Sequence, residues 1–242
     1  MHARSCSVAK SVEARGRPKD AEAAQAAILD AAEAAFAERG FAGARVDAIA
    51  EASGYNKSLI FHYFGDKLGL YVAIIQRARR QGSDMQARIF GSLADHTPMT
   101  SDAFRSFIER AIKESFDFYL AQPRLLRILA WEEAEGWTTM TKISSQLDQS
   151  HLVRFAAVLD RAQRAGILRQ DVSPGFILYV IANTSRTYLD ALPVYQAFGP
   201  GEDVFSSKGM ARAREQIVTF IVHGLLVDPT GETSDSRPPQ AR

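Results

Sequence analysis

Residues 40–71 read GFAGARVDAIAEASGYNKSLIFHYFGDKLGLY, and this stretch decides the fold. Val46, Ile49 and Ala50 recur at helical spacing and turn a small apolar face inward over a segment from Val46 to Ala52. Ser53-Gly54-Tyr55-Asn56 follows, and Gly54 supplies the left-handed backbone of a tight turn. A second segment, Lys57 to Tyr63, is anchored from below by Ile60 and Phe64. Two short helices joined by a glycine turn are predicted, the arrangement of a helix-turn-helix. Lys57, Ser58, Phe61 and His62 then point outward on a helix short enough to lie in the major groove of duplex DNA. Lysine and histidine can donate to guanine N7 and O6, serine can donate or accept, and an aromatic face can pack on a thymine methyl. Tyr63 and Lys67 fall at the far end of this helix and at the start of the next, where a hydroxyl, an ammonium and free backbone N–H groups can hold phosphates. Two plainer readings stay open, His62 as an exposed helix residue and Lys67 as a solvated lysine.

Outward from this stretch nearly everything has the helical period. Asp20 is predicted to cap a helix whose stripe is Ile28, Leu29, Ala32, Ala35 and Phe36, with Gly40 as its stop signal. Asp66 is placed to cap the next long helix, with Leu70, Tyr71, Ile74 and Ile75 at spacings of 3 to 4, running past Arg80. Phe104 to Tyr119 marks another, Pro123 opens one through Trp131, and Ile143 to Ala165 is read as a single helix closed by Gly166. Ser173-Pro174 is a strong start signal for a helix to about Leu192, and Ala211 to Leu226 is the last. The expectation is an all-α fold of about nine helices, three of them small and N-terminal. It divides into a flexible basic arm over 1–19, a helix-turn-helix domain over 20–65, a larger helical domain over 66–227 and a disordered tail over 228–242. Arg15, Arg17 and Lys19 of the arm suit either a solubilising tail or contact with a groove or phosphates.

Composition narrows the functional classes. With 242 residues, 46% hydrophobic and 24% charged, the chain has the make-up of a globular protein rather than a disordered or fibrous one. No apolar run approaches the roughly 20 residues needed to cross a bilayer, and the N-terminus lacks an apolar signal core. A soluble, cytoplasmic protein without a membrane partner is expected. The single cysteine, Cys6, makes neither an internal disulfide nor a zinc site of its own. Residues 1–80 hold 12 Lys and Arg against 9 Asp and Glu, a balance of +3, while the remainder holds 17 against 19, a balance of −2. The polyanion partner this hints at lies at the N-terminal end. The five histidines are scattered, Asp148 and His151 form a lone i, i+3 pair, and neither a phosphate loop nor a nucleophile elbow is present. No cofactor, metal or catalytic residue is therefore expected. A helical small-molecule enzyme or binding protein is the competing reading, and a pure interaction scaffold the third.

The C-terminal region is less specific. Phe116, Tyr119, Trp131, Trp137, Phe155 and Tyr188 are spread over several helices, as core aromatics or as the lining of a small-molecule site. Asn183, Arg186 and Thr187 lie on the otherwise apolar helix from Pro174, where polar groups need partners. They orient an effector in an apolar cavity, or else Arg186 pairs with Glu132 or Glu133, or sits at a subunit interface. Ile217, Val218, Phe220, Ile221 and Leu225 cover a wide apolar face of the last helix, where Gly224 lets another backbone approach, as a dimer interface would require.

The 40–71 stretch resembles the tetracycline-repressor family of bacterial transcription regulators, whose N-terminal signature is approximately T-V-x-x-I-A-x-x-A-G-V-S-x-x-x-L-Y-x-Y-F-x-x-K-x-x-L. Val46, Ile49, Ala50, Gly54, Tyr63, Phe64, Lys67 and Leu70 match it, and Ile60 and Phe61 are conservative changes. The resemblance implies a three-helix DNA-binding domain followed by a helical domain that binds an effector and dimerises through its last two helices. It further implies a repressor that binds a palindromic operator as a homodimer and is released by a small molecule. Lys57, Ser58, Phe61 and His62 would face bases or the groove wall, and Tyr63 and Lys67 the DNA backbone. Arg45 departs from the usual Thr, losing a hydroxyl cap and a phosphate contact that its charge can replace. Leu59 stands where Thr is common, and Asp47 repels phosphate.

Overall fold

The computed structural model describes residues 18–91, 99–199, 201 and 203–226, and every described element is helical. The basic arm and the C-terminal tail expected from the sequence lie outside the described residues, except that Pro18 and Lys19 already belong to the first helix. That helix, α1 (Pro18–Gly43), therefore starts two residues before Asp20, which is not its cap but an anion in its first turn, favourable beside the exposed N–H groups. Gly40 breaks it from within, at φ 67° and ψ −179°, and the chain resumes one more turn to Gly43. A Cβ at Gly40 would lie 3.0 Å from the Trp131 ring, so both backbone and space require glycine there.

Two short helices follow, α2 (Val46–Ser53) and α3 (Lys57–Phe64), then α4 (Lys67–Gln81) and a short α5 (Ser83–Phe90) that the sequence did not signal. The second half comprises α6 (Ser101–Leu120), α7 (Pro123–Ala134), α8 (Thr138–Ile143), α9 (Ser150–Arg164), α10 (Pro174–Asp190), α11 (Leu192–Phe198) and α12 (Ser207–Leu225). Nine of these twelve correspond to the nine expected or to parts of them; α5, α8 and α11 are short additions. The single helix expected over Ile143–Ala165 is instead broken. A 3-10 turn at Ser144–Gln146 leads into extended backbone at Leu147 (φ −101°, ψ 132°). Asp148 then accepts from both the amide and the hydroxyl of Ser150, a local side-chain turn that competes with the helix.

Apolar side chains gather into two cores. One joins Ile28, Phe36, Ile49, Ile60, Leu70 and Ile74 of the N-terminal helices to Leu125 and Ile128 of α7 and Ile143 of α8. Packing thus runs across residue 65, through α4 and through the long contact of α1 with α7. Trp131 Nε1 and Arg127 Nε both donate to the carbonyl of Ala37, at 3.3 and 3.2 Å, which fixes α7 to α1 where Gly40 is about to break it. The other core, built on Phe104, Phe107, Ile112, Phe155, Leu159 and Ile181, lies among α6, α9, α10 and α12. Arg214–Asp117 (2.7 Å) and Lys113–Glu215 (3.1 Å) tie α12 to α6 at its rim.

Candidate nucleic-acid interface and cavity

The exposed face of α3 is set by three local devices. Gly54 ends α2 in the left-handed conformation (φ 75°, ψ 10°), which turns the chain within three residues. Asn56 caps α3 by accepting from the Leu59 amide at 2.8 Å. Ile60 on α3 and Ile49 on α2 are fully buried, worth roughly 1.5–3 kcal/mol each, so the opposite face is held outward. That face carries Lys57, Ser58, Phe61 and His62, all exposed. Arg45 is exposed at the extended residue before α2, and it supplies no side-chain cap there.

Charges on this face are partly paired. Lys57 Nζ donates to Asp47 Oδ1 at 2.9 Å and lies 5.8 Å from the centre of the Phe61 ring. The hydrogen bond and charge of Lys57 hold the Asp47 carboxyl below its ordinary range. Asp47 is thus already neutralised in part, an interaction that the sequence pattern, ten residues across a turn, did not reveal. The Tyr63 ring is half-buried, 5.3 Å from His62 and 6.2 Å from Phe64.

Lys67 is not the free ammonium that its place in the motif suggested. Its Nζ donates to the Ala42 carbonyl at 3.2 Å and lies 4.8 Å from the centre of the Phe41 ring, closing the end of α1 onto the start of α4. Burial pushes its pKa down. Beside it Asp66 caps α4 through the Gly69 amide at 2.7 Å. A Cβ at Gly69 would lie 2.0 Å from the Phe64 carbonyl oxygen, so glycine alone lets α4 leave α3 this sharply.

α4 carries this interface into the body of the protein. The Tyr71 hydroxyl donates to Glu132 Oε1 at 2.8 Å, and the Met140 amide donates to Oε2 at 2.9 Å, which links α4, α7 and the start of α8 through one buried carboxylate. Burial, then the bond to Glu132, raise the Tyr71 pKa well above its ordinary value. One turn and a half later Arg77 bonds Asp30 at 2.6 Å and also Glu33, fastening α4 to α1.

The C-terminal half of α4 then forms part of the wall of a cavity of about 380 Å³. Of the seven expected effector residues, Tyr119, Phe155, Asn183 and Arg186 line it, joined by Trp137. The other three do not. Phe116 is consumed by the second core, Trp131 is committed to α1, and Thr187 faces outward from α10. Arg186 takes the expected partner Glu133 (2.9 Å), with Asp190 (3.2 Å) and Asn183 Oδ1 (3.3 Å) completing its donors, while its guanidinium lies 5.8 Å from the Trp137 ring. Sequence reasoning missed Arg79 and Gln86 of this wall and used His151 only as a lone pair; no spacing signal joined them to α10.

The expected dimer residues divide. Ile217 and Ile221 are buried in the chain's own second core, so they have no surface to offer a partner. Gly224 is exposed, with nothing within 4 Å of a Cβ built on it. On the same outward face of α12 lies Phe220, 79% exposed, and α10, which packs on α12, exposes Phe176 and Tyr179.

Comparison with known proteins agrees with this geometry. Residues 28–74 match the family model described as bacterial regulatory proteins, tetR family, and residues 105–221 match the tetracyclin repressor-like C-terminal domain. The chain is 31% identical over 164 residues to the HTH-type transcriptional repressor SCO4008 of Streptomyces coelicolor, covering 68% of this chain and 78% of that protein. It is 24% identical over 178 residues to the HTH-type transcriptional repressor NicS of Pseudomonas putida, covering 71% and 78%. Among solved structures, a TetR-family transcriptional regulator from Haemophilus influenzae (HI0893) superposes with a TM-score of 0.58 at 16% identity, over 87% of this chain and 100% of that one.

Proposed function

This chain belongs to the tetR family of bacterial regulatory proteins and is a DNA-binding transcription regulator; from that premise we propose that it is a cytoplasmic repressor, binding a palindromic operator as a homodimer and leaving it when a small molecule fills its cavity. The observation that carries the reading is the outward face of α3, where Lys57, Ser58, Phe61 and His62 stand exposed on a helix pinned by Ile60 and Asn56. Lys57 and His62 donate to base edges, Phe61 packs on a thymine methyl, and Ser58 completes the readout. Arg45 and Tyr63 meet phosphates. Lys67 contributes by fixing the α1–α4 junction, and its backbone faces phosphate at the start of α4.

A single eight-residue helix reads too few base pairs for selectivity, so two copies related by a twofold axis are needed. Phe176, Tyr179 and Phe220, with Gly224 beside them, provide the face on which a second copy pairs. Release follows from α4, a single helix with Lys67 under the reading head and Ile75, Ala78 and Arg79 in the cavity wall. A ligand that favours the DNA-incompetent spacing of the two heads by about 1.4 kcal/mol weakens operator binding tenfold.

The test is fluorescence anisotropy of the purified protein on genomic DNA fragments as salt rises. Tight binding to a few fragments, falling steeply with salt as counterion release demands, is expected. Absence of DNA binding at low salt would refute the reading and favour a helical small-molecule binder.

A further inference from the structure

Charge in the cavity is one-sided. Two arginines and a histidine, Arg79, Arg186 and His151, line it, and among the described residues that line it none is an aspartate or glutamate. The two arginines are in different states. Arg186 has Glu133 and Asp190 as direct counter-charges, so its charge is spent within the protein. Arg79 is half-buried in the last turn of α4, and no carboxylate lies within ion-pair distance of it among the described residues. Its guanidinium donates instead to the backbone carbonyl of Asp148 and lies 3.3 Å from His151 Nδ1. The Asp148 carboxylate, the natural partner, stands beyond ion-pair distance, held by the amide and hydroxyl of Ser150, each at 2.9 Å, and acts on Arg79 only as a charge not in direct contact. Burial, then the charge of Arg79, push the His151 pKa down, so the ring adds no second charge but keeps one donor and one acceptor nitrogen.

A partly desolvated cation with no carboxylate in direct contact carries a standing cost, and an anion delivered by a ligand reduces it. The surroundings strengthen that pairing: Ile75, Phe90, Leu152 and Phe155 form an apolar wall in which an ion pair is less screened than in water. A cationic ligand meets Arg79 as a like charge, and a neutral one brings it no direct counter-charge. We propose that the cavity takes a molecule with an apolar body and a carboxylate, the carboxylate received by Arg79 with His151 as its neighbouring donor. This rests on the reading that the cavity is the effector site, and it adds the chemistry of the ligand. It also names where the ligand grips: Arg79 stands on the helix that begins beneath the reading head, so the pull of the anion acts on α4 itself.

The experiment titrates the full-length protein with decanoate and with phenylacetate, each beside its alcohol and its amine, and follows tryptophan fluorescence, since Trp137 lines the cavity. At least one carboxylate should bind tenfold or more tightly than its alcohol, with the amine weakest. Arg79→Gln should abolish that preference, with the circular dichroism of the parent showing the fold intact, and Arg79→Lys should keep most of it. Alcohols or amines that bind as tightly as the acids, failure of both acids to bind, or an Arg79→Gln variant with the preference undiminished would each overturn the proposal. The readout needs no DNA, so an acid that binds through Arg79 but leaves operator affinity untouched sinks the release mechanism alone.

Discussion

Replacing Tyr71 by Phe removes one hydroxyl from the interior and changes little else in volume. That hydroxyl donates to Glu132 Oε1 at 2.8 Å, with Glu132 only 1% exposed and the Met140 amide as its other donor. A hydrogen bond to a charged acceptor contributes about 1.5–3 kcal/mol. Here deletion also leaves a buried carboxylate one donor short, which puts the expected loss in the upper half of that range, about 2–3 kcal/mol. The same contact sets an alkaline signature. Burial and the Glu132 bond raise the Tyr71 pKa in the folded protein, so above the ordinary phenol value, about 10, the unfolded chain loses a proton that the native state keeps. The contribution is fully present below that pH and is lost as pH rises, at up to about 1.4 kcal/mol per pH unit. Tyr71→Phe lacks this slope, so its deficit relative to the parent should shrink above about pH 10. Urea unfolding followed by circular dichroism at neutral and alkaline pH measures both effects. A double-mutant cycle with Glu132→Gln should give a coupling of roughly 1–2 kcal/mol. A variant within about 0.5 kcal/mol of the parent at pH 7, or a deficit independent of pH, would show that the link between α4 and α7 is not made as described.

Other perturbations probe the remaining joints. Gly69→Ala forces a Cβ into the Phe64 carbonyl oxygen, so DNA affinity should fall together with stability, by roughly 1–3 kcal/mol in unfolding, whereas Gly224→Ala, inside α12 with open space around it in the single chain, should not lower stability; equal losses would refute the tight α3–α4 turn. Because burial lowers the His151 pKa, the unfolded chain takes up a proton first as pH falls through about 6.5, and stability is lost below that point; His151→Asn should flatten that part of the stability profile, and an unchanged profile counts against the buried ring. Phe220→Asp puts a charge on the exposed outer face of α12 and should give a monomer by light scattering with its helix content intact, while a persistent dimer would place the interface elsewhere.

The sequence disclosed α2 and α3 closely because their ends are written in local chemistry. Gly54 must be left-handed, Asn56 caps, and the apolar pair Ile49 and Ile60 leaves one choice of outward face. The same holds for Asp66, Ser173 and Pro174, each found at the helix start its side chain predicts. Misreadings arose where periodicity was the only signal. The apolar run after Ile143 kept the helical spacing although the Asp148–Ser150 turn interrupts it, and Ile217 and Ile221 have the same spacing whether they meet a partner or their own α6. Long-range pairing was invisible for a related reason. Trp131 looked like a ligand-site aromatic until Ala37, 94 residues away, claimed its N–H, and Lys67 looked free until the end of α1 folded over it. The cavity was legible in part: Tyr119, Phe155, Asn183 and Arg186 stood out by type, whereas Arg79 belongs to it only because α4 passes beside α9.

The central claim is that the exposed face of α3 reads DNA sequence, and selection of bound fragments from genomic DNA by the parent protein, Lys57→Ala and His62→Ala tests it most directly. The parent should select fragments sharing a twofold-symmetric site, and each variant should relax or shift the preference at symmetric positions, losing about 1–3 kcal/mol at the bases it reads. Recovery of one and the same site by all three proteins, with equal affinities, would contradict the account.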